Sequence, residues 1–552
     1  MESRGRPSRP ALALLPQVRC GEFVGSGSNE LEVFRLIDVF QRAVDRFGEL
    51  VPFQLEEPFV RGTREEFASG DAELCRRSLD SLERLIWDRD GGLHAPSMTR
   101  LYPVVKLRFA TVGKSYHLTT FGCQMNEHDS ERMKGMLESL GYSEVAERGE
   151  ADLILFNTCS IREKADDRFI AHLREANALK RRAPDTVIGV GGCWAQSVKD
   201  EVFQRFPFVD VAFGPGQVHK LAEFLTSDSL TAQGYFEFEG FTGDLPVKRA
   251  RDFQGWLQIS VGCNCVCSYC IVPSTRGREV SRDPEILIAE VERLAGDGVT
   301  EVTLLGQNVN SYGRDLPADK RTSFSELLGR VDAVAGIERI RYTSPHPKDM
   351  REDVILAHAE LRALCEHIHL PLQSGSSAIL KRMRRTYTRE RYLDRVALIR
   401  EHVPDCALTT DIIVGFPGET EEEFEQTLEV AEQVGYDGAF TFIYSPRRGT
   451  EAAELDEQIP HEIKVERLER LVEVIQRRAA ERSQRFVGRT LEVLIEGPSR
   501  TDPTRLRGRT RHNKVVNFDG LGEPGDYVQV EITGATSQTL MGEMSLIARA
   551  VS

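Results

Sequence analysis

The sequence predicts an α/β protein of three folded modules: an N-terminal parallel-sheet domain, an open, partial (βα)6 barrel, and a small antiparallel β-barrel at the C-terminal end. Three observations predict it. From Lys114 onward, apolar strand-like runs alternate with amphipathic helices, the pattern of a parallel sheet. About six such repeats fall after residue 251, too few to close an eight-fold barrel. Beyond residue 483 the period shortens to two, with basic and small residues interleaved.

The remaining bulk properties bound the function. A chain of 552 residues corresponds to roughly three or four domains. A hydrophobic share of 40% and a charged share of 28% fit a soluble globular protein. The net charge of −15 excludes a uniformly basic nucleic-acid binder, so any such contact is a local patch. Eleven cysteines without a secretory signal point to a reducing, cytoplasmic setting and to metal ligation rather than disulfides. The run Ala11–Leu15 is too short for a signal core, Glu2 weakens a transit-peptide reading, and no apolar run approaches membrane-spanning length.

Residues 1–113 read as a helical extension without discernible chemistry. Helical spacing predicts helices over Asn29–Phe47 and Ala72–Trp87, and the isolated Cys20 and Cys75 read as buried or idle thiols.

In residues 114–225, strands are expected at Tyr116–Phe121, Asp152–Phe156 and Thr186–Val190. Helices are expected at Asp129–Leu140 and Ile161–Lys180, with a shorter one from about Val198. Cys123, Cys159 and Cys193 each follow one of the strands. Parallel strands end at the same sheet edge, where open α/β sheets bind ligands, so these three thiols converge. Singly, each is an ordinary core cysteine. Together they form a site for a [4Fe–4S] cluster with one iron lacking a protein ligand.

A Gly-bearing linker, residues 226–250, leads to the barrel, residues 251–482. Its expected strands are Leu257–Val261, Val299–Leu305, Ile337–Tyr342, His367–Leu372, Ala407–Val414 and Ala439–Tyr444. The main helices are Pro284–Leu294, Phe324–Val334, Arg389–His402 and Thr420–Val434. The loops at the C-terminal strand ends are polar and Gly-bearing, which suits a nucleoside cofactor. They are Gly306–Asn310, Thr343–Pro347, Gln373–Ser376 and Gly415–Glu419. His346 and His369 read as polar loop or core histidines rather than ligands or bases.

Between the first strand and helix of this barrel lies the densest thiol cluster in the chain. Cys263, Cys267 and Cys270 are spaced C-x3-C-x2-C, with Tyr269 just before the last. Three thiolates can hold three irons of a cube and leave the fourth open. The alternative is a zinc knuckle, but a second C-x2-C, which such sites usually need, is absent. Cys265 is an additional thiol inside the loop that either competes for iron or sits idle beside the cluster, and its spacing favours the second.

In the last module, residues 483–550, the stretch Arg485–Lys514 holds eight Lys or Arg against three acids. Arg505, Arg507, Arg509 and Arg511 alternate with Leu506, Gly508 and Thr510, so a strand here puts four guanidinium groups on one face. Contact with nucleic-acid phosphates is the favoured reading; a charged edge strand that resists aggregation is the other.

These motifs carry a family resemblance. The cysteine loop and Ile271–Gly277, with the four rim loops, resemble a radical S-adenosylmethionine (SAM) enzyme. Phe121–Asn126, Asn157–Glu163 and Gly191–Gln196 resemble the N-terminal domain of the methylthiotransferases, and the last module resembles the TRAM domain, an OB-like RNA-binding appendage. The resemblance, covering about residues 114–550, implies a radical SAM tRNA methylthiotransferase with two [4Fe–4S] clusters and SAM as cofactors. Its metal ligands would be Cys123, Cys159, Cys193, Cys263, Cys267 and Cys270, with no catalytic side chain beyond them. Tyr269, Gln307, Asn308, Gln373, Ser374 and Gly375 would bind SAM. One SAM would methylate sulfur held at the N-terminal cluster and another would supply the radical. The implied reaction replaces the C2 hydrogen of N6-dimethylallyladenosine, beside the tRNA anticodon, with a methylthio group. Gln124–Asn126 and Leu305–Asn310 resemble the type acting on that base best. Relatives acting on threonylcarbamoyl-adenosine or on a ribosomal-protein aspartate are the alternatives, as is a non-catalytic iron–sulfur RNA-binding protein. The implied partners are the tRNA anticodon stem-loop, an electron donor such as a flavodoxin and a sulfur donor, for a monomer with no membrane contact.

Overall fold

The computed structural model describes residues 113–159, 163–227, 232–237 and 245–545, all within one compact unit, Val112–Ser552. The expected helices Asn29–Phe47 and Ala72–Trp87, with Cys20 and Cys75, lie outside the described residues.

The first module is a six-stranded, all-parallel sheet in the order β2-β1-β3-β4-β5-β6. Its long strands are β1 (Ser115–Thr120), β3 (Leu153–Thr158) and β4 (Val187–Gly192). Every residue of β3 and β4 is buried, as expected for parallel strands covered on both faces. Helices α1 (Gln124–Ser139), α2 (Glu163–Lys180), α3 (Cys193–Val198), α4 (Glu201–Arg205) and α5 (Val218–Leu225) connect the strands. The sequence reading missed β2 (Ser143–Glu144), β5 (Val211–Phe213) and β6 (Gln233–Tyr235), which are only two or three residues long and show no period. Under one face, Phe156, Phe169 and Trp194 build an aromatic core, with the last two rings edge-on at 4.9 Å.

The second module is the open barrel. Its strands are β7 (Gln254–Gln258), β10 (Glu301–Leu305), β11 (Arg339–Tyr342), β12 (His367–His369), β13 (Ala407–Val414) and β14 (Gly438–Ile443). They form two parallel three-stranded sheets, β7-β10-β11 and β12-β13-β14, and an isolated bridge from Ile340 of β11 to Leu364 ties the first to the segment just before β12. Among the described residues β14 does not pair with β7, so the wall stays open. The expected first strand is corrected. Pairing in the barrel ends at Gln258, and Ser260–Val261 turns away as β8 to pair antiparallel with β9 (Val280–Ser281). The short α6 (Val272–Arg276) follows the cysteine loop and packs against the first module, and the other helices are α7 (Pro284–Gly296), α8 (Phe324–Asp332), α9 (Glu352–Glu360), α10 (Ser377–Arg382), α11 (Arg389–His402), α12 (Glu421–Val434) and α13 (His461–Ser483). Capping boxes at Ser323 and Thr420 start α8 and α12 at defined residues. Leu257, Val302, Leu304, Ile340, Ile368, Leu408 and Ile412 pack beneath the helices. By the two-residue period, Trp256, Thr303, Arg341, His369, Thr409 and Asp411 lie on the opposite, inner face.

The third module is a closed barrel in the order β15-β16-β17-β19-β18. Its strands are β15 (Thr490–Pro498), β16 (Leu506–Thr510), β17 (Val515–Asp519), β18 (Tyr527–Ala535) and β19 (Thr539–Met544). One pair, β17 with β19, is parallel, so the all-antiparallel expectation needs that amendment. The cause is non-local: β18 and β19 form a hairpin that returns beside β17. This barrel docks across the N-terminal strand ends of the open one, meeting Thr300, Glu366, Asp405 and Asp437 just before β10, β12, β13 and β14. Arg339 donates to the carbonyl of Arg509 at 2.7 Å, and Arg341 to those of Thr510 at 2.9 Å and Arg511 at 3.0 Å. Among the described residues no helix is long and apolar enough to cross a membrane.

Candidate functional site

The parallel sheet brings Cys123, Cys159 and Cys193 to its C-terminal edge. Cys123 caps the start of α1, Cys159 directly follows β3, and Cys193 opens α3 directly from β4. Gly192 makes that last turn possible: its φ is +98°, and a Cβ there would lie 2.3 Å from the carbonyl oxygen of Thr158. Two fully buried asparagines bind the loops together. Asn126 donates to Asn157 Oδ1 and to the Thr158 carbonyl, both at 3.2 Å, and Asn157 donates to the Asn126 carbonyl at 2.8 Å. The Cys123 thiol hydrogen-bonds with Cys159, which pulls its pKa down to about 6 despite burial; Arg276 acts in the same sense. Burial pushes the Cys193 thiol up, with Arg276 opposing.

Arg276 is a residue that the sequence reading did not single out. It stands in α6 of the barrel module yet reaches Asp129 on α1 at 2.9 Å, with both side chains at most 6% exposed. It also contacts the Cys193 thiol. A lone arginine six residues after Cys270 carries no spacing signal.

The second thiol group occupies the loop between β8 and α6. Gly262, at φ +71°, leaves no room for a Cβ, which would lie 2.1 Å from the Arg278 carbonyl oxygen. Cys263 N–H donates to the Gly277 carbonyl at 3.1 Å and Cys270 N–H to that of Cys267 at 3.1 Å, closing the loop. Ser268, held by the carbonyls of Met383 and Arg382, fastens it to the rim. Arg385 donates to Cys267 Sγ at 3.4 Å and to the Tyr387 hydroxyl at 3.2 Å. Nothing in the sequence marked this arginine either. Burial raises the Cys270 thiol to about 11. Cys265, expected to be idle, is not remote. Its thiol hydrogen-bonds with Cys263 and lies beside Lys348, Arg385 and Asn308. Among the described residues no three His, Cys, Asp or Glu side chains close on a point that suits a single metal ion. A cube holds its thiolates at its corners, farther apart than the ligands of one ion.

The expected cofactor residues divide into two sorts. Gln307 and Asn308 stand beside the cysteine loop, and Asn308 donates to Asp349 at 2.9 Å. Both amide atoms of Gln307 and Asn308 Oδ1 are buried without a protein partner. Gln373 lies at the rim with φ +68°, an uncommon conformation for a non-glycine residue. Ser374 and Gly375 instead turn toward α12: Gly375 N–H donates to Thr427 Oγ1 at 2.9 Å. Tyr269 packs its ring against Ile379, Met383, Phe416, Tyr444 and Ala452. His346 is a buried loop histidine, kept neutral by desolvation, and its Nδ1 accepts from Lys348 N–H.

Of the four arginines of the last module, Arg507 and Arg509 alternate on one face of β16, whereas Arg505 precedes the strand and Arg511 follows it in a turn, and each of the four meets a carboxylate. Arg505 pairs with Asp519 at 3.0 Å, and Arg507 and Arg509 both with Glu496, at 3.3 and 2.9 Å. Arg511 makes a bidentate pair with Glu366 of the barrel, at 2.8 and 2.9 Å.

Comparison with known proteins agrees with this geometry. Residues 115–214 match Uncharacterized protein family UPF0004, residues 257–431 the Radical SAM superfamily, and residues 484–545 the TRAM domain. A Thermoanaerobacter sp. protein named tRNA-2-methylthio-N(6)-dimethylallyladenosine synthase is 46% identical over 441 residues, covering 79% of this chain and 93% of its own. Proteins of the same name from Clostridium perfringens and Caldicellulosiruptor saccharolyticus are each 47% identical over 438 residues, covering 78% of this chain and 98% and 92% of their own.

Proposed function

Because the chain belongs to the tRNA-2-methylthio-N(6)-dimethylallyladenosine synthase family, we propose that its two cysteine triads are the cluster sites of that methylthiolation. Cys263, Cys267 and Cys270 hold the cluster that works with SAM, and Cys123, Cys159 and Cys193 the one that carries sulfur. The observation that carries this reading is Arg276, which follows one triad in sequence and is buried against the other.

The residues fit the groups. Both donor sets are thiols, the soft ligands that iron–sulfur clusters take, and three per site leave one iron open. Each triad has a buried arginine in contact, Arg276 or Arg385, to offset the negative charge of a thiolate-bound cluster. The unpartnered Gln307 amide and Asn308 Oδ1 offer the hydrogen bonds that a nucleoside cofactor requires. When bound, the clusters and SAM supply the electron, the radical, the sulfur and the methyl group of the reaction. An unactivated aromatic C–H demands such a route, because the C2 proton is too weakly acidic for side-chain bases.

The chain's own residues position. Ser374 and Gly375 anchor the rim loop to α12, so that Gln373 holds its strained conformation at the rim, where it would meet the cofactor. Tyr269, fixed by its packed ring, would offer backbone rather than side chain to a bound adenine. The division of labour follows the expected modules: residues 114–225 for sulfur, 251–482 for the radical and 483–550 for RNA, with 226–250 as linker and 1–113 without an assigned role. The target base must leave the anticodon loop to enter. The reaction also needs an electron and a sulfur atom from outside, so the reading includes a flavodoxin-type electron donor and a sulfur donor serving a cytoplasmic monomer.

Phosphate contact by the basic strand rests chiefly on Arg507, which has a single ion pair, and on Arg505, whose partner Asp519 is exposed although Arg505 also donates to the Gly542 carbonyl. Arg511 is committed to Glu366, and Arg509 to the buried Glu496 and to Asn513. Changing Arg505 and Arg507 together to Gln is expected to weaken tRNA binding and to reduce the slope of log Kd against log salt by roughly 1.5 to 2, two phosphate contacts' worth. An unchanged slope would return both to a purely structural role.

The function itself is tested by incubating the anaerobically purified, reduced protein with SAM and tRNA, then analysing digested nucleosides. Methylthio product on tRNA carrying dimethylallyladenosine, and none on tRNA lacking that base, is expected. Product only on threonylcarbamoyl-adenosine would move the chain to the sister activity.

A further inference from the structure

We infer that the inner wall of the open barrel carries the site that reads the target base, built from Phe440, His369 and Asp411. This rests on the function proposed above and goes beyond it by naming specificity-determining residues. The placement follows from strand period. Ile368, Leu408 and Ile412 are buried under the helices, so His367, His369, Thr409 and Asp411 face the interior. Phe440, paired with Asp411 across β13 and β14, shares that face.

Three of these residues form a hydrogen-bonded chain, and a fourth, Asp411, stands at its end. Thr409 Oγ1 lies 3.0 Å from His367 Nε2 and 3.0 Å from His369 Nδ1, and His369 Nε2 lies 3.3 Å from Asp411 Oδ2. A hydroxyl has one proton, so Thr409 donates to one imidazole and accepts from the other. The Asp411 carboxylate beside His369 Nε2 favours a proton on that nitrogen, and Thr409 then donates to His369 Nδ1 and accepts from His367 Nε2–H. That tautomer set satisfies both hydrogen bonds to Thr409 and orients the His369 ring toward Asp411. Its free end is Asp411, a carboxylate with a second oxygen to offer.

Beside this chain stands Phe440, its ring 6.1 Å from that of His369. It is 59% exposed although it points into the barrel, a large aromatic face with little packed over it. Gln373 N–H donates to the Asp411 carbonyl at 2.8 Å, so the site lies immediately below the rim loop assigned to the cofactor. An aromatic plane next to an acceptor fits a nucleobase with one remaining exocyclic N–H: the ring stacks on Phe440 and Asp411 accepts from the N–H. The same carboxylate selects among N6 substituents. An apolar dimethylallyl group meets no opposing charge, whereas the carboxylate of a threonylcarbamoyl group meets Asp411 with like charge.

The test uses holoenzyme and anticodon stem-loops carrying dimethylallyl-, threonylcarbamoyl- or unmodified adenosine. Phe440→Ala is expected to weaken binding of the dimethylallyl stem-loop by about tenfold, the loss of one stacked base, with Phe440→Trp restoring it. Asp411→Asn is expected to shrink the preference for dimethylallyl over threonylcarbamoyl adenosine by about tenfold, read as a ratio of affinities so that any general loss cancels. Iron content checks folding, and Phe440→Leu replaces the alanine variant if that one misfolds. Unchanged affinity in the Phe440 variants, or an unchanged ratio in Asp411→Asn, would overturn the assignment. Affinity is measured without turnover, so a wild-type protein that binds selectively but makes no methylthio product would sink the proposed function and leave this site standing.

Discussion

Replacing Cys263, Cys267 and Cys270 together with alanine is expected to reduce formation of 5′-deoxyadenosine to background and to remove one cube's worth of iron. The three thiols share one loop, closed by the Cys263–Gly277 and Cys270–Cys267 backbone hydrogen bonds and pinned through Ser268 to the rim. No other cysteine of the barrel module can substitute: Cys365 and Cys406 are buried, and Cys406 donates to a strand carbonyl. Cys265 stays in place in this variant, and a single thiol cannot hold a cube. Iron analysis and a 5′-deoxyadenosine assay under reduction check both halves. Residual cleavage above background would mean that the ligand set is different.

Arg276→Ala is expected to destabilise the folded unit by about 3–5 kcal/mol, the usual result of leaving one charge of a buried pair without its partner. Asp129 and Arg276 are at most 6% exposed, so water cannot take over the lost contact. For modules of this size that corresponds to a fall in Tm of roughly 10 °C. Because Arg276 also touches Cys193, iron at the N-terminal triad should fall with it, and the Asp129→Ala, Arg276→Ala double variant should lose less stability than the two single effects added. Thermal unfolding of the three variants measures this. A single variant within about 0.5 kcal/mol of the parent, typical of surface changes, would show that the pair is not the latch between modules.

Much of the architecture was legible because it is local. The turns Gly122-Cys123, Thr158-Cys159 and Gly192-Cys193 end apolar runs, and parallel strands must deliver such turns to one edge. Helix α11 falls at Arg389–His402 as its spacing predicts, since its apolar positions repeat over a long window. What stayed hidden is short or non-local. Strands β2, β5 and β6 contain too few residues for a period, and the parallel β17–β19 pair depends on how the barrel closes. Arg511 looked free for phosphate because its carboxylate partner, Glu366, stands 145 residues earlier. Arg276 and Arg385 work at the thiols only once two modules or two distant loops have come together. Phe440 read as an ordinary strand residue, and only its exposure on an inward face distinguishes it.

The most direct test of the two-triad account is nucleoside mass spectrometry on prenylated tRNA treated with a protein in which Cys123, Cys159 and Cys193 are all changed to alanine, beside a 5′-deoxyadenosine assay on the same sample. The two thiol sets lie in different modules, each with its own core, so the barrel should keep its cluster when the sheet loses its own. The account predicts one cube per chain, continued 5′-deoxyadenosine formation and no 2-methylthio nucleoside. Appearance of 2-methylthio nucleoside from that variant would contradict it, because sulfur would then reach the base without the N-terminal thiols.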